Sequence, residues 1–191
     1  MDKKTIVVAS GNKGKLKEIQ DMLPDFKVVG YKELGFTEEI EETGETFYDN
    51  ALIKAKTVSI ALNLPALADD SGLVVEALGG APGVMSARYS ETGLDKDNNE
   101  KLLKVMKGEK NRKAKFVCSM VYYNPSGEII SSYGETQGLV MDKTMGENGF
   151  GYDVLFYSTE INKCFGEASK EEKNAVSHRF RAFLGIKEKL L

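Results

Sequence analysis

Two neighbouring aspartates, Asp69-Asp70, stand directly after the apolar run Ala66-Leu67-Ala68 and before Ser71-Gly72. Charge at the end of a buried strand is costly unless it is paired or used. Such oxygens suit a hard cation like Mg²⁺, which keeps waters and takes one or two protein carboxylates together with substrate phosphates. A carboxylate near such an ion also accepts a proton from an attacking water. Adjacent side chains on extended backbone point to opposite sides, so one aspartate is expected in a site and the other in the structure. Glu38, Glu39, Glu41 and Glu42 precede Thr43-Gly44. An acidic loop of this kind reads first as solvated surface, above all at Glu38-Glu39.

A second candidate is Ser10-Gly11-Asn12-Lys13-Gly14-Lys15. It lies between a short apolar strand and a helical pattern, where free N–H groups and the helix dipole face one point. Glycines let that backbone close on an anion, and Lys13 and Lys15 add positive charge. The spacing is not that of a Walker A loop. An ordinary strand-to-helix turn with surface lysines fits the same residues equally well.

Three further groups are weaker alone. Gly79-Gly80-Ala81-Pro82-Gly83 runs into Ser86-Ala87-Arg88-Tyr89, where Arg88 suits a structural ion pair better than a phosphate clamp. Gly149-Phe150-Gly151-Tyr152-Asp153 sets two aromatics and an acid among glycines. These residues fit either a stacked base with an acceptor for a ring N–H, or two core aromatics and a turn. The one histidine, His178, sits in Ser177-His178-Arg179. Its donors suit an acceptor such as a purine O6, and Ser177 equally suits a helix cap. One histidine without matched cysteines excludes a structural zinc site and disfavours Ser-His-Asp catalysis.

These residues need elements to hold them. Ile6 to Ala9 reads as a short buried strand. Leu16, Ile19 and Leu23 recur at helical spacing until Pro24. Thr46-x-x-Asp49 resembles a capping box opening a helix whose stripe is Phe47, Ala51, Ala55, Val58 and Leu62. A short strand Ala66 to Ala68 follows, and a third helix covers Asp97 to Met106. Lys113 to Tyr123 alternates as a half-buried strand with Phe116, Cys118, Met120 and Tyr122 on one face. Pro125-Ser126-Gly127 turns into a strand over Glu128 to Tyr133. A last helix over Ser177 to Leu191 carries Phe180, Leu184, Ile186 and Leu190 or Leu191. Strands and helices mix throughout, which is an α/β or α+β class with helices packed on a mixed sheet.

The chain has 191 residues, 41% of them hydrophobic, which supports a real core in one domain or two interleaved lobes. Twenty-six basic against 29 acidic residues leave a charge of −3, with no clustered basic excess for neutralising nucleic-acid phosphates. Two cysteines argue against a disulfide scaffold and for a reducing compartment. No apolar run approaches a membrane span, and the run at Ile6–Ala9 is too short for a secretory signal. The expectation is a cytoplasmic protein without membrane or nucleic-acid partners.

Taken in series, these segments resemble one family, the inosine triphosphate pyrophosphatases, also called dITP/XTP pyrophosphatases. The matching stretches are Ser10 to Lys15, Glu41-Glu42-Thr43-Gly44 with Thr46-Phe47, Asp49-Asn50-Ala51, Ala68 to Leu73, Gly79 to Tyr89, Gly149 to Asp153, and Glu171-Glu172-Lys173 through Ser177-His178-Arg179. The resemblance implies an elongated mixed sheet with two lobes around a central cleft, forming a single domain over residues 1–191 and a homodimer. It implies Mg²⁺-dependent hydrolysis of ITP, dITP or XTP at the α–β anhydride, with Mn²⁺ as a substitute ion. On that basis Ser10, Gly11, Asn12, Lys13, Gly14 and Lys15 cradle the triphosphate with Lys54 and Lys173. Glu41 and Asp70 hold the metal, and Asp70 accepts the proton of the attacking water. Ser71 touches substrate, Phe150, Gly151, Tyr152 and Asp153 hold the base, and His178 and Arg179 read its 6-oxo edge. Val154 stands where the family usually has proline, and Glu147-Asn148 where it has small residues. The alternatives are a pyrophosphatase for modified pyrimidine nucleotides and a nucleotide sensor that does not hydrolyse its ligand.

Overall fold

The computed structural model describes residues 4–190. Seven strands form one mixed sheet: β1 (Lys4–Val8), β2 (Phe26–Gly30), β3 (Ala66–Val75), β4 (Lys113–Tyr123), β5 (Ile129–Val140), β6 (Phe156–Ser158) and β7 (Lys163–Cys164). The order across it is β2-β1-β3-β4-β5-β6-β7. β1 runs parallel to β2 and to β3, pairing Val7 with Ala66 and Val8 with Leu67, whereas β5–β6 and β6–β7 are antiparallel. The helices are α1 (Lys13–Met22), α2 (Phe47–Leu62), α3 (Asp95–Val105), α4 (Lys170–Val176) and α5 (His178–Leu190). The α/β class with helices on a mixed sheet is the architecture expected. No helix among the described residues is long and apolar enough to cross a membrane.

The chain divides into two compact units. The first holds the residues up to Asp70, Ser119–Tyr133 and the residues from Ala182 onward; the second holds Ser71–Cys118 and Gly134–Arg181. The core of the first packs Val7, Ala9, Ala66 and Ala68 of the strands against Ala51, Ala55 and Val58 of α2. The small residues on both sides let helix and strands approach closely. The core of the second gathers Leu73, Leu102, Met106, Phe116, Leu155, Phe156 and Phe165. Its rings meet at short range, with Phe116 and Phe156 centroids 4.5 Å apart.

The start of α2 is where its local signal places it, whereas α3 begins at Asp95 rather than Asp97. Thr46 caps α2 and closes the capping box with Asp49, and the Asn12 side chain caps α1 by accepting from the Lys15 N–H. Gly127 lies in the turn joining β4 to β5, at φ 93°, where left-handed backbone favours glycine.

Several expectations need correction. β3 does not stop at Ala68 but runs through Asp69-Asp70-Ser71-Gly72 to Val75. β4 is not half-buried: Phe116 to Val121 are all buried, because this strand lies inside the sheet with both faces covered. β5 extends to Val140 rather than ending at Tyr133. Among the described side chains of α5 the buried apolar positions are Ala182, Phe183 and Ile186, whereas Leu184 is exposed. Leu191 and the side chain of Leu190 lie outside the described residues. β2, β6, β7 and α4 were not anticipated, although Ser169-x-x-Glu172 is a capping box that marks the start of α4.

Candidate active site

In the first unit, the middle of β3 delivers two buried aspartates to different partners. Asp69, fully buried, holds the Lys15 ammonium at 3.0 Å. Asp70 meets the Lys54 ammonium at 3.1 Å and the Asn50 amide at 3.3 Å. Asn50 and Lys54 are i, i+4 on α2, so a single helix face supplies both. Lys54 also binds Glu42 at 2.7 Å. Of the paired acids at positions 41 and 42, the structure therefore joins Glu42 to Asp70 through a shared lysine, and leaves Glu41, the expected metal ligand, exposed.

The acidic loop reaches this place because Gly44 lies against the start of α2. Its N–H donates to the Asn50 side chain at 2.8 Å. A Cβ at Gly44 would fall 2.5 Å from Asp49 Cβ and 2.7 Å from Asn50 Oδ1, so only glycine permits the approach. Asn50 thus links the loop to Asp70, a role the sequence does not signal.

Burial pushes the Asp70 carboxyl above its ordinary range, against the pull of Lys54 and Lys15, and Glu42 pushes it the same way. Asp70 is therefore a better proton acceptor than an ordinary carboxylate. Burial by itself would weaken the Lys54 ammonium, but Asp70, Glu42 and Asp69 outweigh it and hold the lysine's pKa above normal.

Ser10 to Asn12 leads into α1, whose first residues are Lys13, Gly14 and Lys15, with the Asn12 N–H bonded to Ser10 Oγ at 3.2 Å. No acid stands in the first helical turn, so nothing on the helix offsets its positive end. Lys32 was not anticipated here: its ammonium lies 3.6 Å from where a Cβ of Gly11 would be. The two carboxylates of the Asp70–Glu42 group suit a divalent ion that completes its shell with substrate phosphates and water. Among the described residues no group of three or more His, Cys, Asp or Glu forms a cage of its own.

In the second unit, Asp153 organises the Phe150 loop. Its Oδ2 accepts from the Phe150 N–H at 2.9 Å and from the Lys173 ammonium at 2.6 Å. The Lys173 ammonium also lies 4.8 Å from the Phe150 ring centroid. Lys173, expected with the triphosphate group, contacts Asp153 and the Phe150 ring. Gly149 has φ 78°, and a Cβ there would strike Asp153 Oδ2 at 2.1 Å. The buried Tyr152 donates its hydroxyl proton to the Ser86 carbonyl at 2.8 Å. Ser86 Oγ in turn accepts from Leu73 N–H and donates to Gly83 O, which gives the glycine-rich turn before Arg88 its structural use. Burial raises the Tyr152 phenol, with Tyr89 and Asp95 adding to the effect, and so keeps it a neutral donor.

His178 and Arg179, both buried, open α5 after Ser177, whose Oγ accepts from the Phe180 N–H at 3.1 Å. The His178 ring stacks on Phe116 with centroids 4.8 Å apart. Arg179 donates to Ser71 Oγ at 3.2 Å, and its guanidinium carbon lies 5.6 Å from the Phe150 ring centroid. Ser71, Phe150, Asp153, Lys173 and Arg179 therefore form one connected group.

A sequence model described as the Ham1 family matches residues 6–189. A dITP/XTP pyrophosphatase of Clostridium tetani is 49% identical over 193 residues, covering 98% of this chain and 96% of that protein. One from Haemophilus influenzae is 48% identical, covering 98% of this chain and all of that protein (100%). Among solved structures, the Ham1 protein of Staphylococcus aureus superposes with a TM-score of 0.88 at 42% identity, over 98% of both chains. A HAM1 protein of Coxiella burnetii gives 0.88 at 38% identity, also over 98% of both. The likeness runs through both compact units and every segment that shapes the two residue groups: the chain belongs to the Ham1 family.

Proposed function

We propose that this protein hydrolyses ITP, dITP and XTP to the nucleoside monophosphate and pyrophosphate. The observation that carries the reading is Asp70, a buried carboxylate of raised basicity beside Lys54 and within the reach of Glu42's charge. The names of the relatives from Clostridium tetani and Haemophilus influenzae support the substrate class. Water adds across the α–β anhydride, its proton passes to Asp70, and pyrophosphate leaves. The segment from Ser10 to Lys15, with Lys54, binds the phosphates. A divalent ion, Mg²⁺ or in its place Mn²⁺, supplies charge neutralisation to the phosphates when bound, with Asp70 and either Glu41 or Glu42 as its protein ligands.

The second group reads the base. Phe150 offers a ring for stacking, and His178 and Arg179 are donors suited to a 6-oxo group. Adenine presents an amino donor at that position, leaving such buried donors unpaired at about 1–3 kcal/mol each. Each unit carries part of this chemistry, and the chain passes between them at 70/71, 118/119, 133/134 and 181/182. The reading therefore takes them as one domain, working as a homodimer in the cytoplasm.

The test is incubation with Mg²⁺ and ITP, XTP, ATP or GTP separately, with products resolved by ion exchange. Monophosphate and pyrophosphate from ITP and XTP, with little from ATP or GTP, is the expected result. Orthophosphate with a diphosphate moves the cleavage to the outer anhydride, and tight binding without turnover makes the protein a sensor. A preference for modified pyrimidine nucleotides in the same assay replaces the substrate class. Light scattering checks the dimer.

A further inference from the structure

We infer that Asp95 and Asn99, on α3, are positioning residues that set base selectivity by clamping Gly151; this rests on the pyrophosphatase reading. Gly151 lies at the tip of the Phe150 loop with φ 62°. Its N–H donates to Asp95 Oδ2 at 2.7 Å. Its carbonyl accepts from Asn99 Nδ2 at 2.9 Å. Positions 95 and 99 are i, i+4 on one helix, so a single rigid face grips both polar groups of one residue.

The N–H belongs to the Phe150–Gly151 peptide and the carbonyl to the Gly151–Tyr152 peptide. Holding both fixes the two planes that flank the glycine, a residue free to rotate through left-handed space. On one side this sets the pitch of the Phe150 ring, which faces the Lys173 and Arg179 cations. On the other it sets Tyr152, whose hydroxyl is already tied to Ser86. Asp153 anchors the base of the loop; the α3 pair anchors its tip.

Asn99 carries a second sign of this use. The residue is buried, and its Oδ1 has no hydrogen-bond partner among the described residues. A buried acceptor left unmade is a cost that an apolar residue would avoid. Its neighbour Asn98 has a plainly local task, accepting from Ser90 N–H and donating to Ala87 O. Asn99 instead spans 52 positions of sequence to reach Gly151.

The test compares Asp95→Ala, Asp95→Asn and Asn99→Ala in the full chain. Asp95→Asn keeps an acceptor for the Gly151 N–H, while both Asp95 variants lose the negative charge at the start of α3. The expected result is a KM for ITP raised about tenfold in Asp95→Ala and Asn99→Ala, with kcat within about twofold, as loss of one hydrogen bond to the loop implies. Asp95→Asn recovers most of the KM although its melting temperature falls as far as that of Asp95→Ala. The preference for ITP over GTP narrows only where the clamp is lost. Equal KM in Asp95→Ala and wild type, or equal KM changes in the two Asp95 variants, overturns the inference. Amide exchange at Gly151 is read alongside: faster exchange in Asp95→Ala is expected, and unchanged exchange overturns the clamp itself. A wild-type protein inert toward ITP overturns the pyrophosphatase reading instead, and with it the claim about selectivity.

Discussion

The Lys54 ammonium lies 3.1 Å from Asp70 and 2.7 Å from Glu42, so one buried cation holds two carboxylates that are 28 positions apart in sequence. Neither acid would be stable there alone, because burying like charges together is expensive without a compensating cation. The pair with Asp70 is thus both a structural joint and the centre of the proposed chemistry.

Substituting Asp70 by Asn is expected to remove turnover, by about a hundred- to ten-thousand-fold, as loss of a proton acceptor does. Stability should hold or rise. Burial raises the folded-state pKa of Asp70, so the folded chain keeps this proton to a higher pH than the unfolded chain does. Its ionisation therefore subtracts stability as pH climbs above the ordinary carboxylate value near 3.8. Melting curves at pH 5 and 7, beside the ITP assay, check both halves. Full activity in the variant removes Asp70 from the mechanism.

Lys54→Met should destabilise the protein by about 3 kcal/mol at neutral pH, because it strands two partly buried carboxylates. The deficit should shrink on acidification. Losing the lysine pushes the Asp70 carboxyl further up, so protonation relieves the strain progressively as pH falls. A deficit that is constant from pH 7 to pH 5 would show that packing, and not charge, is what Lys54 supplies.

Gly149→Ala is expected to damage base recognition more than chemistry. The added Cβ meets Asp153 Oδ2 at 2.1 Å on a left-handed backbone, and Asp153 must shift away from Phe150 and Lys173. KM for ITP should rise about tenfold or more, with a smaller effect on kcat. Steady-state kinetics with circular dichroism separates this from global unfolding.

On the proposed reading, in which His178 is a buried donor to the 6-oxo group, His178→Ala should narrow the preference for ITP over ATP by about tenfold. The ratio of kcat/KM for the two nucleotides is the readout. An unchanged ratio assigns His178 to packing on Phe116 alone. Removing divalent ions with a chelator should stop turnover of ITP, with Mg²⁺ or Mn²⁺ restoring it.

Much of this was legible in short windows of sequence. Thr46-x-x-Asp49 marked a helix start because a cap is made within three residues. Asp69-Asp70 after an apolar run announced charge at a buried strand, and alternation of side chains on extended backbone foresaw their separate partners. What escaped depends on distance along the chain. Nothing near Glu42 tells that it, and not Glu41, meets Lys54; that follows from how closely Gly44 lies on α2. β4 looked half-buried because alternation predicts one covered face, but a central position in the sheet covers both. The contact of the Lys173 ammonium with Asp153, twenty positions away, likewise left no local sign. Asp95 lies outside the helix expected from Asp97, and nothing near Asn99 signals the contact that the fold makes with Gly151. Local hydrogen bonds and periodicity are written in neighbouring residues, so sequence alone determined the elements and the kinds of chemistry. Pairings between remote side chains arise only when packing brings them within about 3 Å, and that was left to the tertiary structure.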